Sequence, residues 1–120
     1  MTLVDTSVWI NHFRRADAAL SQLLSDGAVR VHAFSIGELA CGNFKDRKGT
    51  LTDLRDLPAA PIADEAEVSY LLDHYQLWGT GLGWVDLHII TVAALTGWSL
   101  FTADAAMQRA ARKIGIPSPD

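Results

Sequence analysis

Cysteine is nearly missing from this chain: Cys41 stands alone, so no internal disulfide can form. A fold without such staples rests on its buried core, and a lone thiol suits a reducing, cytoplasmic setting. Cys41 lies on an apolar helical stretch and is expected as a small buried hydrophobe. Long hydrophobic runs are missing too, and nothing approaches the roughly 20 apolar residues that a membrane span needs. The amino end lacks a basic start, and Asp5 interrupts any apolar segment there, so no signal peptide is expected. Excess positive charge is absent: 10 Lys and Arg stand against 14 Asp and Glu, a formal net charge of −4. That argues against wrapping a long duplex through a basic surface. It leaves room for a site that meets nucleic acid through metal ions and a local group of cations. No Cys/His spacing fits a zinc site, and there is no internal repeat, low-complexity segment or linker.

What is present is an ordinary globular composition, 49% hydrophobic and 20% charged over 120 residues. That is one domain, residues 1–120, long enough for a real core. Thr2-Leu3-Val4 has no polar side and reads as a strand buried on both faces. Helices are expected over 6–14 and 17–25, then a strand at 28–31 and a helix from Phe34. Leu51, Leu54 and Leu57 suggest a further helix, and Ala59 to Ala63 a short third strand. Val68, Leu71, Leu72, Tyr75 and Trp78 follow helical spacing after an acidic first turn. A loop with Gly79, Gly81 and Gly83 leads to an apolar helix, 86–96. A strand at 98–102 and a last helix after Asp104 complete the pattern, and the tail 116–120 is a weak fifth strand because it holds two prolines. Strands alternating with helices predict an α/β fold: three layers, α/β/α, around a mostly parallel sheet of about four to five strands. Right-handed crossovers then place every strand's carboxyl end on one edge.

Four acids stand beside these apolar elements rather than on solvated faces. Asp5 follows the first strand, Glu38 lies in the helix after the second, Asp86 opens the most apolar helix, and Asp104 follows the Leu100-Phe101-Thr102 strand. Each also has a capping role open to it. Asp5 and Asp104 suit N-caps, Glu38 suits a capping box with Ser35, and Asp86 suits the positive end of a helix dipole. Four carboxylates at one edge repel one another, and a fold tolerates that when a hard divalent cation such as Mg²⁺ or Mn²⁺ is bound. Thr6, Ser7 and Thr102 add hydroxyls able to orient the carboxylates. An oxygen-only pocket of this kind suits phosphodiester hydrolysis, with metals activating water and clamping the attacking and leaving oxygens. Two other classes stay open. One is a phosphohydrolase working through an aspartyl-phosphate at Asp5, although the usual second aspartate two positions on is Ser7 here. The other is a non-enzymatic regulatory module whose carboxylates hold the basic segment of a DNA-binding partner.

Val4-Asp5-Thr6-Ser7-Val8-Trp9-Ile10, Ser35-x-x-Glu38-Leu39-x-x-Gly42, Asp86-Leu87-x-Ile89-Ile90-x-x-Ala93 and Leu100-Phe101-Thr102-x-Asp104 together resemble the PIN-domain family. Within it the chain is similar to the VapC-type toxins of bacterial toxin–antitoxin pairs. The similarity runs over nearly the whole chain, and the opening motif is its most specific piece. The resemblance implies a metal-dependent endoribonuclease, with Asp5, Glu38, Asp86 and Asp104 as its metal-binding and catalytic acids and Thr102 as part of the site. It also implies a homodimer and a cognate antitoxin that inserts a segment into the acidic groove, with DNA met only through that antitoxin. Two features depart from the family. Met107 stands where an aromatic residue is common, which bears on packing. The acidic net charge leaves RNA affinity to few cations, for which Arg14, Arg15, Lys45, Arg47 and Lys48 are candidates. Trp84, in the glycine loop beside Asp86, is a further candidate as a face for base stacking. Trp9, Tyr70, Tyr75, Trp78 and Trp98 suit core or dimer-face positions, the helix around 64–78 being the preferred dimer surface. His12 and His88 are expected to be packed or exposed, without catalytic duty.

Overall fold

The computed structural model describes residues 1–119. Strand β1 (Thr2–Val4) is central, flanked by β2 (Val29–Arg30) and β3 (Ser99–Phe101) in the order β2-β1-β3. Both pairings are parallel, with Leu3 opposite Arg30 on one side and Leu100 on the other. The crossovers are helical: α1 (Thr6–Arg14) and α2 (Ala18–Ser25) between β1 and β2, then α3 (Ala33–Ala40), α4 (Arg47–Asp56), α5 (Glu65–His74) and α6 (Trp84–Thr96) before β3. Helix α7 (Ala105–Ile114) follows β3.

Successive side chains of a strand point to opposite faces, and β1 divides the core on that basis. Leu3 packs with Val68 and Leu71 of α5, Ile89, Ile90 and Val92 of α6, and Met107 of α7. Val4 packs on the other face with Val8 and Trp9 of α1, Leu20 of α2, Leu39 of α3 and Leu51 and Leu54 of α4. These two clusters are the outer interfaces of the expected three-layer α/β/α arrangement. Leu3 and Val4 are fully buried, and burying each contributes about 1.5–3 kcal/mol. Helix α6 is buried continuously from Leu87 to Ala93, which explains its apolar sequence on every side. It ends where Gly97 takes φ +75°, the left-handed conformation that closes a helix.

Two expected strands shrink to single contacts. In the stretch 59–63 only Ala59 pairs, in an isolated parallel bridge with Val31, held by Val31 N–H to Pro58 O (3.1 Å) and Ala60 N–H to Val31 O (2.8 Å). Pro61 has no N–H with which to continue the ladder. The tail contributes Pro117 O as acceptor for Leu100 N–H (2.9 Å), with no strand over 116–119, and Asp120 lies outside the described residues. The sheet therefore has three strands rather than four or five. Cys41 is exposed, not buried. The buried face of α3 carries Ser35 and Leu39, and two residues past Leu39 a helix has turned about 200° away from that face. Tyr70 and Trp78 are not core residues, being 65% and 60% exposed. Among the described residues no helix is long and apolar enough to cross a membrane.

Candidate active site at the carboxyl end of the sheet

Because all three strands are parallel, their carboxyl ends share one edge. A crevice outside that edge is where open α/β sheets bind ligands. Asp5 is the first residue past β1 and the N-cap of α1, and its backbone N–H donates to Phe101 O (2.9 Å), which ties the ends of β1 and β3 together. Its side chain is almost wholly buried. The Oδ2 atom accepts from Ser7 Oγ (2.7 Å) and Thr102 Oγ1 (3.0 Å). Those two hydroxyls in turn accept from the backbone N–H groups of Ala103 and Asp104, each at 3.0 Å. Thr102 is therefore an orienting group, joining Asp5 to the turn that carries Asp104.

Asp104 caps α7, its Oδ1 accepting from Ala106 N–H (2.8 Å) and Met107 N–H (3.2 Å). Asp86, in the first turn of α6, accepts from Gly83 N–H at Oδ2 (2.9 Å). Glu38 does not form a capping box with Ser35. Its Oε1 accepts instead from Thr6 Oγ1 (2.8 Å), across 32 residues of chain. Capping and site formation are thus not rival roles for these acids. Each of the four uses one carboxylate oxygen to hold its place, and its other oxygen has no protein hydrogen bond among the described residues.

Electrostatics links three of them. Burial pushes the Asp86 carboxyl above its ordinary range, the Gly83 N–H opposes that, and the charges of Asp5 and Asp104 push it up further. The charges of Asp5 and Asp104 are thus close enough to Asp86 to disfavour its ionised form. No group of three or more His, Cys, Asp and Glu side chains among the described residues closes into an ion-holding cage. The free atoms at this edge are carboxylate oxygens, the donor type that a hard cation such as Mg²⁺ takes.

The cations read from the sequence divide. Arg14, Arg15, Lys45 and Lys48 are exposed. Arg47 is occupied: its guanidinium donates to Ala40 O, with Nε at 3.1 Å, and ties the end of α3 to the start of α4. Trp84 is half-exposed, its ring edge-on to His88 at 5.0 Å. Met107 is fully buried with its sulfur 3.8 Å from Thr102 Oγ1, a packing role. Two participants carry no motif that would have marked them: Gly83, which acts through its backbone, and Gln108, whose amide donates to Thr102 O (2.9 Å).

The model of the PIN domain matches residues 2–113. Two curated relatives, both Ribonuclease VapC32, come from Mycobacterium tuberculosis strains CDC 1551 / Oshkosh and ATCC 25618 / H37Rv. Each is 42% identical over 117 residues, which is 97% of this chain and 94% of theirs. The match begins at β1 with its terminal aspartate and runs into α7, so it takes in all four acids, and the chain belongs to the PIN-domain family.

Proposed function

We propose that this chain is a Mg²⁺- or Mn²⁺-dependent endoribonuclease, a single-domain toxin of a toxin–antitoxin pair acting on cytoplasmic RNA. The observation that carries the reading is the shared design of Asp5, Glu38, Asp86 and Asp104: one oxygen anchored, one left for a ligand, at the carboxyl end of a parallel sheet. The cation's protein ligands would come from the free oxygens of this set, one or two carboxylates at a time with water completing its shell. When bound, it supplies charge neutralisation at the phosphate and an activated water for in-line attack. The chain's own contribution is positioning. Ser7 and Thr102 fix the rotamer of Asp5, Thr6 fixes Glu38, and the α7 amino end fixes Asp104. Asp86, raised in pKa by burial and by the charges of Asp5 and Asp104, would be favoured in its charged form by a neighbouring cation.

An aspartyl-phosphate mechanism fits less well, since Ser7 occupies the acid/base position and its hydroxyl is engaged with Asp5. As partners we propose a cognate antitoxin, with a basic segment that enters the acidic groove, and a second copy of the chain. The exposed apolar side chains Tyr70 of α5 and Leu95 of α6, which line one surface hollow, would supply a face for that dimer.

The test is cleavage of total cellular RNA, with end mapping, by antitoxin-free wild type and Asp5→Asn in the presence and absence of Mg²⁺ or Mn²⁺. Metal-dependent cuts by the wild type that fall about a thousandfold in the variant are expected, equivalent to about 4 kcal/mol of transition-state stabilisation. Equal cutting by both proteins, or none by a folded wild type, would overturn the reading.

A further inference from the structure

The outer face of α7 carries charge that the roles assigned so far leave unused. Met107, Ala110 and Ala111 turn inward, while Gln108, Arg109, Arg112 and Lys113 are exposed. Three of the chain's 10 Lys and Arg thus stand on one helix, and no acid lies between Ala105 and Gly115. We infer that this face is a backbone track for RNA, binding phosphates of the substrate strand beyond the cut without reading sequence. The inference rests on the nuclease reading and adds to it a surface that supplies affinity.

The cations are arranged for a partner from outside. Arg109 stands three residues before Arg112 and four before Lys113, spacings at which helix side chains are neighbours and like charges weaken the helix. The helix dipole favours Arg112 and Lys113, which lie in the last turn. It does not account for Arg109, a turn earlier. Two rows result, Gln108 with Arg112 and Arg109 with Lys113, and each opens on its own hollow. Gln108 and Arg112 line one with Thr102 and Ser118, and Arg109 and Lys113 line the other with Leu77 and Thr80. Neither lining includes an acid among the described residues. Cations along one helix face, with Ser, Thr and Gln beside them, are the groups that proteins set against phosphate oxygens.

Position points to RNA rather than to another polyanion. Helix α7 starts at Asp104, an acid of the candidate site. Gln108 donates to Thr102 O, which ties the helix to the residue that orients Asp5. Along the axis Arg109 lies about 7.5 Å and Lys113 about 13.5 Å from Asp104. A strand held at the acid edge reaches them with phosphates a few nucleotides past the cut. The acids at that edge repel phosphate themselves, and the chain's net charge is −4. Attraction for the strand therefore has to come from cations outside the edge.

The experiment measures binding of labelled poly(U) and of a uridine tetranucleotide to full-length protein silenced by Asp5→Asn, over a series of monovalent salt concentrations. Arg109→Gln, Arg112→Gln and Lys113→Gln are compared singly and together, with Arg109→Lys as the variant that keeps its charge. Arg55→Gln, an exposed cation on α4, controls for net charge. The triple variant is expected to lose about a hundredfold in poly(U) affinity at about 0.1 M salt. Its slope of log affinity against log salt is expected to fall by about 2, the share of three phosphate contacts on a single strand. Arg109→Lys is expected to bind as its parent does, and the tetranucleotide, too short to span the track, to lose far less. In the active protein the loss is expected in KM on long RNA, with kcat unchanged. Thermal unfolding of each variant keeps a folding defect from passing as a binding one. A triple variant with unchanged affinity and slope overturns the track, as does an Arg55→Gln loss equal to that of Arg109→Gln. Poly-L-glutamate that binds more tightly than poly(U) through the same three side chains assigns the face to an acidic protein and also overturns it. Hydrolysis of bis(p-nitrophenyl) phosphate with Mn²⁺ reports on the acid centre alone, so the track can fail while the nuclease reading stands.

Discussion

Acidification is expected to loosen this fold through one buried histidine. His32 caps α3, and its Nδ1 accepts from Phe34 N–H at 3.0 Å. That bond requires an unprotonated Nδ1, so the neutral ring carries its proton on Nε2, which is buried without a partner. Protonation would remove the cap acceptor and place a cation at the positive end of a helix, inside a fully buried site. Burial first, and the nearby His88 second, lower the His32 pKa from 6.5 to about 4. The unfolded chain then binds more protons than the folded one between those two values, so stability rises with pH there. The contribution is fully present at pH 7, falls as pH drops through 6.5 and levels off below about 4. Integrated, it amounts to about 2 kcal/mol lost by pH 5 and about 3 kcal/mol in all. Urea denaturation at pH 7 and pH 5, on wild type and His32→Asn, isolates it. Asparagine keeps an N-cap acceptor and does not titrate, and any constant packing cost of the smaller side chain cancels in the pH difference. The wild type is expected to lose about 2 kcal/mol more than the variant across that interval. Parallel losses in the two proteins would refute the reasoning.

Thr6→Val removes the hydroxyl that holds Glu38 while keeping the side chain's shape. Cleavage is expected to fall about 10- to 100-fold, as for a lost outer support of a metal ligand, with Thr6→Ser recovering most of it; unchanged kinetics would show that Glu38 needs no anchor. Gly97→Ala places a side chain at φ +75° with nothing within 4 Å of the new methyl group. The cost is thus conformational alone, about 1–2 kcal/mol in a denaturation experiment. Ile90→Ala, at a fully buried position on α6, is expected to cost about 2–5 kcal/mol, read from the urea midpoint at constant slope.

The placement of the candidate acids was largely legible in the sequence because they sit at boundaries. Asp5 and Asp104 mark where apolar strands stop and helices start, a change of period visible in the residues themselves, and the structure places them as the caps of α1 and α7. The Glu38 partner was not legible. Ser35, three residues earlier, offered a familiar box, while the real donor, Thr6, lies 32 residues away. Local pattern carries no information on such pairs. Likewise Ala59 to Ala63 has the composition of a short strand, but one proline within it limits pairing to a single bridge. Cys41 sits in an apolar run, yet the angle of α3 relative to Leu39 turns it outward. Nothing in the neighbourhood of His32 in the sequence reveals that it is fully buried or that His88 lies near it.

The two borders of the small sheet also bear on how this protein limits edge-to-edge pairing. An unpaired strand border is a template on which another chain can grow a strand, the usual start of domain swapping and fibre formation. Here the β2 border is closed by Pro58 and Ala59, with Pro61 just beyond. The β3 border is closed by Pro117, with Pro119 near it. Each covering segment accepts a hydrogen bond from the sheet, at Pro58 O and Pro117 O, and carries prolines that cannot donate to a further strand. Each border is thus covered at one residue, Val31 beside β2 and Leu100 of β3, by a proline-bearing segment that discourages strand addition there.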